Sequence, residues 1–82
     1  MYYVYTISSI PRNYICVGLT DNLERRLQQH NSGWNPTTKP YLPFDLLLVE
    51  CFPSRIAARY REKWLKTGVG KEYLKKLKCR KP

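Results

Sequence analysis

The stretch from Tyr14 to Asn31, YICVGLTDNLERRLQQHN, decides the fold because its hydrophobic period changes halfway along. Tyr14 to Val17 favour a buried strand, and Gly18 favours a sharp exit from that strand. Leu23 and Leu27 then recur at helical spacing. The stretch therefore predicts a strand that leads into an amphipathic helix.

The predicted helix presents two polar side chains together. Asp21 is expected to cap its first turn, with Glu24 bonding back in a capping box. Arg26 and His30 are four residues apart, so they share one face of the helix. Because the two leucines bury the adjoining face, we expect the guanidinium and the imidazole to lie at the edge of the core, near the glycine.

Length and charge limit the class of protein. The chain of 82 residues is interpreted as one domain, residues 1–82, and its 43% hydrophobic content argues against disorder. Fifteen Lys and Arg against six Asp and Glu give a formal charge of +9. A polyanion is the expected partner, since each phosphate that a cation neutralises releases counterions. Charge alone does not separate a ribosomal protein, a repressor fragment and a nuclease.

The three cysteines do not form a framework. Cys16, Cys51 and Cys79 are an odd number without metal-ligand spacing, which favours free thiols in a reducing compartment over disulfides or a zinc site. No apolar run approaches the roughly 20 residues of a membrane span, and no signal-peptide pattern begins the chain. We expect a cytoplasmic protein that does not bind membranes.

The N-terminal residues predict a β-hairpin. Met1 to Ile10, MYYVYTISSI, favour a strand, and Pro11 to Asn13 supply a turn before Tyr14. Alternation places two sets on opposite faces, of which one is expected to cover the core: Tyr3, Tyr5 and Ile7, and then Tyr2, Val4 and Thr6.

A loop is predicted from Asn31 to Pro43, which is rich in Pro, Gly, Ser and Asn. Its Trp34, Lys39 and Tyr41 place aromatic and basic groups where they could meet a nucleic acid. Local packing of the aromatic rings is the alternative interpretation.

The second half of the chain predicts one strand and two helices. Phe44 to Phe52, FDLLLVECF, favours a central strand because its leucine run leaves little room for a solvated face. Ser54 is the expected N-cap of a second helix. A stripe at helical period is expected to bury this helix: Ile56, Ala57, Tyr60 and Trp64. Gly68 and Gly70 are expected to end it in left-handed conformations, before a short basic helix from about Lys71 to Lys78.

Glu62 is a candidate functional carboxylate. It leans toward the apolar side of the second helix, in a protein of charge +9. A carboxylate at the edge of a core is either paired with a cation or available to a metal ion. The candidate cations are Arg55, Arg59 and Arg26.

Two tripeptides and two helical segments resemble a known family. Tyr3-Val4-Tyr5 and Cys16-Val17-Gly18 stand eleven residues apart (16 − 5), and DNLERRLQQHN and REKWLKTGVGKEYLK follow in order at 21–31 and 61–75. From about residue 2 to about residue 76 the chain resembles the GIY-YIG nuclease domain, in particular its small stand-alone bacterial members.

The resemblance implies an α+β fold, in which a three-stranded antiparallel sheet is flanked by helices in the order β-β-α-β-α-α. It also implies an endonuclease that hydrolyses DNA phosphodiesters with one divalent ion, Mg²⁺ or Mn²⁺. Residues carried over by position are Tyr5 as the first-motif tyrosine, Gly18 as the second-motif glycine, Arg26 and His30 as the helix pair, and Glu62 as the metal ligand.

Each carried-over residue suits its role. Glu62 offers hard oxygen to the ion, and Arg26 can stabilise charge on the phosphate. Tyr5 and His30 can position the scissile group or relay a proton. Gly18 lets the substrate backbone approach closely. Trp34 and Lys39 are candidate substrate contacts on the loop, and any sequence preference is expected to come from this loop or from a protein partner.

The chain departs from the family at the second tyrosine, which is replaced by Cys16. Tyr14 lies two residues earlier on the same strand face, about 6.6 Å away, so it could substitute only if the strand shifted or bulged. Cys16 itself is a candidate base or a buried residue without a role. Two other functions therefore stay open: a DNA-binding domain of this fold that has lost cleavage, and an RNA-binding accessory protein.

Overall fold

A computed structural model describes residues 1–80, and these form three strands and three α-helices. In chain order the elements are β1 (Tyr2–Ser9), β2 (Ile15–Thr20), α1 (Leu23–Asn31), a short 3-10 helix (Lys39–Tyr41), β3 (Phe44–Phe52), α2 (Arg55–Leu65) and α3 (Gly68–Arg80). The predicted α+β class and element order are confirmed.

The three strands form one antiparallel sheet in the order β2-β1-β3. The prediction that β3 is central is wrong, because β1 pairs with both neighbours and β3 lies at an edge. Leu46 and Val49 of β3 are each 36% exposed. The run of leucines predicted a strand that is buried on both faces. In the structure β3 is an edge strand, and some of these side chains stay partly exposed.

Both faces of β1 are buried, so the expectation that one face covers the core is also wrong. Helices α2 and α3 cover the face that carries Val4, around a core of Val4, Ala58, Leu65 and Leu74. Helix α1 and the following loop cover the face that carries Tyr5, around a core of Tyr5, Ile7 and Phe44. The central strand thus joins two apolar layers.

Helix α1 begins one residue later than the capping box requires. Asn22 is the N-cap, and its Oδ1 accepts from the Arg25 N–H. Asp21 instead lies 3.8 Å from Arg25 in an exposed ion pair, which contributes little. The cap is displaced because β2 does not end at Gly18: the strand continues to Thr20, whose Oγ1 accepts from the Asn22 N–H.

Helix α2 has the predicted N-cap and an unexpected buried face. The Ser54 hydroxyl accepts from the Ala57 N–H. The predicted stripe is wrong, because Ile56 and Tyr60 are 72% and 74% exposed. The buried residues of this helix are Ala58, Glu62 and Leu65.

The two glycines near α2 serve α3 instead of a left-handed stop. Helix α3 begins at Gly68, three residues before the predicted start, and the Gly70 N–H donates to the Thr67 hydroxyl. A Cβ on Gly70 would lie 2.5 Å from the Leu65 Cα. Gly70 is therefore required by the close approach of α3 to the end of α2. In residues 1–80, positive φ occurs at Gly33 (77°).

Candidate active site

The Tyr5 side chain is the centre of the site, and the sheet register positions it. Tyr5 on β1 lies opposite Gly18 on β2, and its ring crosses the glycine. A Cβ on Gly18 would overlap the Tyr5 hydroxyl and lie 2.8 Å from its Cε1. The space that the glycine leaves is therefore taken by the phenol, which reaches the outer edge of the sheet.

Helix α1 brings its two predicted polar residues to this hydroxyl. The Arg26 Nε–H donates to the Tyr5 oxygen (3.3 Å), and His30 Nε2 lies 3.0 Å from the same oxygen. Arg26 also donates to the Gln29 side chain (3.2 Å), which holds the guanidinium along the helix. Tyr5, Arg26 and His30 thus form one cluster.

Thr38 belongs to the cluster although the sequence did not indicate it. It is 2% exposed, and its Oγ1 lies 3.3 Å from His30 Nδ1. The Thr38 hydroxyl also donates to the carbonyl of Asn35, again at 3.3 Å. No spacing rule links a threonine in a loop to a histidine eight residues earlier, so only the fold shows this contact.

The hydrogen bonds together select one tautomer of His30. The carbonyl of Asn35 can only accept, so the Thr38 proton points to it and the Thr38 oxygen accepts from Nδ1–H. Nε2 is then an acceptor. Arg26 can only donate, so the Tyr5 oxygen accepts from Arg26 and the Tyr5 proton points to His30 Nε2. The chain of donors runs in one direction, from Arg26 and Tyr5 through His30 to the loop.

The pKa shifts agree with this arrangement. Burial lowers the pKa of His30, and the nearby Arg26 charge lowers it further. Burial raises the pKa of Tyr5, while the hydrogen bond from Arg26 opposes that increase. A neutral imidazole therefore faces a protonated phenol at neutral pH.

Glu62 lies on the buried face of α2, the helix that covers the sheet face opposite α1. It is 9% exposed, and its oxygens are 3.8 Å from Arg59 and 3.5 Å from Lys66. Of the three expected cations, Arg59 is the one within ion-pair distance in the described residues. The Glu62 charge is also a minor cause of the raised pKa of Tyr5, after burial and the Cys16 thiol, so the carboxylate lies within electrostatic reach of the phenol.

The donor set suits an ion that retains water. Residues 1–80 contain no group of three or more His, Cys, Asp or Glu side chains that could enclose a metal. Mg²⁺ is commonly held by one or two carboxylates together with water and phosphate oxygens. Because Lys66 lies at the limit of hydrogen-bond distance and Arg59 lies beyond it, the Glu62 oxygens fit such a site.

Cys16 stands at the position of the family's second tyrosine, and Tyr14 lies beside it. Burial raises the pKa of the Cys16 thiol, and the charge of Lys66 and the Tyr14 hydroxyl partly oppose this. A protonated thiol is a weak nucleophile and a weak base. The Tyr14 ring stacks on Tyr41 at 4.0 Å between centroids, and burial raises the pKa of its hydroxyl.

The loop residues predicted as substrate contacts lie outside the hydrogen-bonded cluster. Trp34 is 65% exposed and Lys39 is exposed, on the segment that also carries Thr38. Tyr41 packs locally instead, as the alternative interpretation of the loop aromatics predicts.

No helix in residues 1–80 combines the length and the apolar composition that a membrane crossing needs.

Comparison with known proteins agrees with this geometry. The family model described as the GIY-YIG catalytic domain matches residues 1–77. UPF0213 protein HQ_3675A of Haloquadratum walsbyi is 34% identical over 67 residues, which cover 80% of this chain and 74% of that protein. The solution NMR structure of UPF0213 protein BH0048 from Bacillus halodurans is similar with a TM-score of 0.56 and 32% identity, over 95% of this chain and 86% of that one. The chain therefore belongs to the GIY-YIG family of nuclease domains.

Proposed function

We propose that the protein is an endonuclease that hydrolyses DNA phosphodiester bonds with one divalent metal ion. One observation carries the proposal: the Tyr5 hydroxyl is held between the Arg26 guanidinium and the His30 imidazole, with a buried carboxylate within electrostatic reach. Membership of a nuclease family and the charge of +9 support the same reaction and an anionic substrate.

The proton path follows from the direction of the hydrogen bonds. As water attacks the phosphorus, the Tyr5 oxygen accepts a proton from it while the Tyr5 proton passes to His30 Nε2. Thr38 holds the imidazole in the tautomer that can receive this proton. Arg26 stabilises negative charge on the Tyr5 oxygen and on the phosphate that lies beside it.

The remaining role belongs to Glu62. Its carboxylate would hold one Mg²⁺ or Mn²⁺, which supplies a Lewis acid for the phosphate oxygens when bound. Lys66 and Arg59 lie within 4 Å of the carboxylate and add positive charge where the phosphate would bind. This division of roles needs no second tyrosine, since Tyr5 handles the proton.

Nicking of supercoiled plasmid tests the proposal. We expect nicking with Mg²⁺ or Mn²⁺ and none in EDTA, and we expect Glu62→Gln to abolish it while DNA binding in EDTA is retained. Glu24→Gln is the matched control, since Glu24 is an exposed glutamate on α1. Nicking that survives Glu62→Gln, or that Glu24→Gln removes equally, would contradict the assignment.

A second candidate function is a DNA-binding domain that has lost cleavage. The observation that favours it is Cys16, whose thiol is shorter than the phenol it replaces and has the Tyr14 hydroxyl, not an imidazole, as its hydrogen-bond partner. In this case wild-type protein binds plasmid but does not nick it, and Cys16→Tyr restores nicking. A wild-type enzyme whose rate Cys16→Tyr leaves unchanged or lowers would exclude this candidate.

A further inference from the structure

The outer edge of β2 opens into a groove that shares Lys66 with the proposed reaction and is otherwise not used by it. Because β2 is an edge strand, its first half pairs only with β1 and faces α3 across a gap. Residues 13–17 form one wall, and Lys66 with α3 forms the other. The groove encloses about 910 Å³, which is within the range of sites that enclose small organic molecules.

The groove has a basic rim and an apolar floor. Lys71, Lys75 and Lys78 recur at helical spacing along one face of α3, and Lys66 continues the line from the end of α2. None of the described residues that line the groove is acidic. The accessible floor consists of Ile15 and Val17, which are partly buried, and Leu65 and Leu74 lie fully buried beneath it. The occupant should therefore carry several negative charges around a flat or apolar group.

A basic rim with an apolar floor favours the binding of single-stranded over double-stranded nucleic acid. A duplex offers mainly phosphates to a basic surface, and its bases are stacked inside, so an apolar floor adds nothing to its binding. An unpaired strand exposes both phosphates and base faces, and proteins bind it through a cationic groove together with surfaces for the bases.

The groove also leads to the reactive cluster. The wall that β2 contributes runs to Val17, one residue before Gly18, over which the Tyr5 hydroxyl lies. A strand that lies in the groove would therefore reach the place where cleavage is proposed.

We propose that this groove binds an unpaired segment of nucleic acid, with its phosphates on the α3 lysines and a base on the apolar floor. Its role as the substrate arm of the cleavage site rests on the proposed nuclease function, whereas the binding itself does not. The substrate class is then nucleic acid with a single-stranded portion next to the scissile bond.

Binding in EDTA tests the groove without any cleavage. The probes are a fluorescent oligothymidylate, an abasic oligonucleotide of the same length, and a duplex of that length, followed by anisotropy at 0.1 M salt. Lys75→Gln is compared with Lys76→Gln, because Lys76 is its exposed neighbour on α3 outside the groove lining. Both changes remove one charge from an exposed helical position, so folding is not at issue.

We expect Lys75→Gln to weaken oligothymidylate binding about fivefold, the loss of one phosphate contact, and to reduce the salt slope by about 0.7. Lys76→Gln should have less than half that effect. The abasic strand should bind at least about fivefold more weakly than oligothymidylate, because it lacks the bases.

Equal effects of the two lysine changes, equal binding of the abasic strand, or tighter binding of the duplex would overturn the proposal. A protein that nicks plasmid but fails these tests loses the groove and retains the nuclease. A protein that passes them without nicking loses the nuclease and retains the groove.

Discussion

The change Tyr5→Phe tests the hydrogen-bonded cluster at its centre. It removes one oxygen and leaves the ring that packs against Ile7 and Phe44. The Tyr5 oxygen is the acceptor for Arg26 and the group 3.0 Å from His30 Nε2. Arg26 is half-buried and can turn to water, but His30 is 2% exposed and its Nε2 would be left without a donor.

The expected cost is that of one buried acceptor left without a partner, about 1–3 kcal/mol. For a chain of this size, about 2 kcal/mol corresponds to a melting temperature lowered by roughly 8–16 °C. A larger effect is expected on nicking, measured below the new melting temperature, because the proton path loses its first acceptor. General acid–base groups contribute typically 10²- to 10⁴-fold.

Urea and thermal unfolding measure the first effect, and plasmid nicking at matched folded fraction measures the second. Tyr60→Phe is the control, since it makes the same chemical change on a side chain that is 74% exposed. If Tyr5→Phe is as stable as Tyr60→Phe, the hydroxyl is not a buried bridge. If Tyr5→Phe is destabilised yet nicks at the wild-type rate, the hydroxyl is structural and the proton takes another path.

Three further predictions follow from named contacts. His30 is the sole histidine of the chain, and burial lowers its pKa. The unfolded state therefore binds more protons than the folded state below about pH 6.5, and the free energy of unfolding should fall as the pH drops through that value. Urea titrations of His30→Gln should lack this pH dependence. Gly70→Ala should lower stability by about 1–3 kcal/mol despite a helix-propensity gain of about 1 kcal/mol, because the added Cβ meets the Leu65 backbone. Gly68→Ala is the control and should not destabilise, because a Cβ there has nothing within 4 Å. Equal shifts of the melting temperature in the two variants would contradict this. Gly18→Ala should displace the Tyr5 ring, lower stability by about 1–3 kcal/mol and reduce nicking; an unchanged far-ultraviolet melt with full activity would show that the ring has room to move.

The sequence predicted those parts of the site that depend on local spacing. Arg26 and His30 share a helix face because four residues make about one turn, and that holds in the structure. The Ser54 cap was predicted for the same reason, since capping is a contact between near neighbours.

The sequence failed where the outcome depends on what packs against an element. Ile56 and Tyr60 have large apolar side chains, but α2 buries the face of Ala58, Glu62 and Leu65, because the small Ala58 lets the helix approach Val4 of the sheet. Gly70 was interpreted as a helix stop because only the approach of α3 to α2 reveals its function. Thr38 is joined to His30 by the path of the loop, which leaves no periodic signal.

Cys16 belongs to the Tyr5 side of the sheet, and the groove floor belongs to the other side. The donor chain from Arg26 through Tyr5 and His30 to Thr38 is complete without any group at position 16, so the relay does not need a phenol there. Cys16 borders the groove beside α3, but its side chain packs against the core of Tyr5 and Ile7, on the sheet face opposite the groove floor. A tyrosine in its place would extend about 4 Å farther, by three ring carbons and an oxygen at ordinary bond lengths, along the Tyr5 face of the sheet and away from the volume that we assign to an unpaired base. Because successive side chains of a strand point to opposite faces, the replacement of the second tyrosine changes the Tyr5 side of the sheet and leaves the groove floor of Ile15 and Val17 as it is.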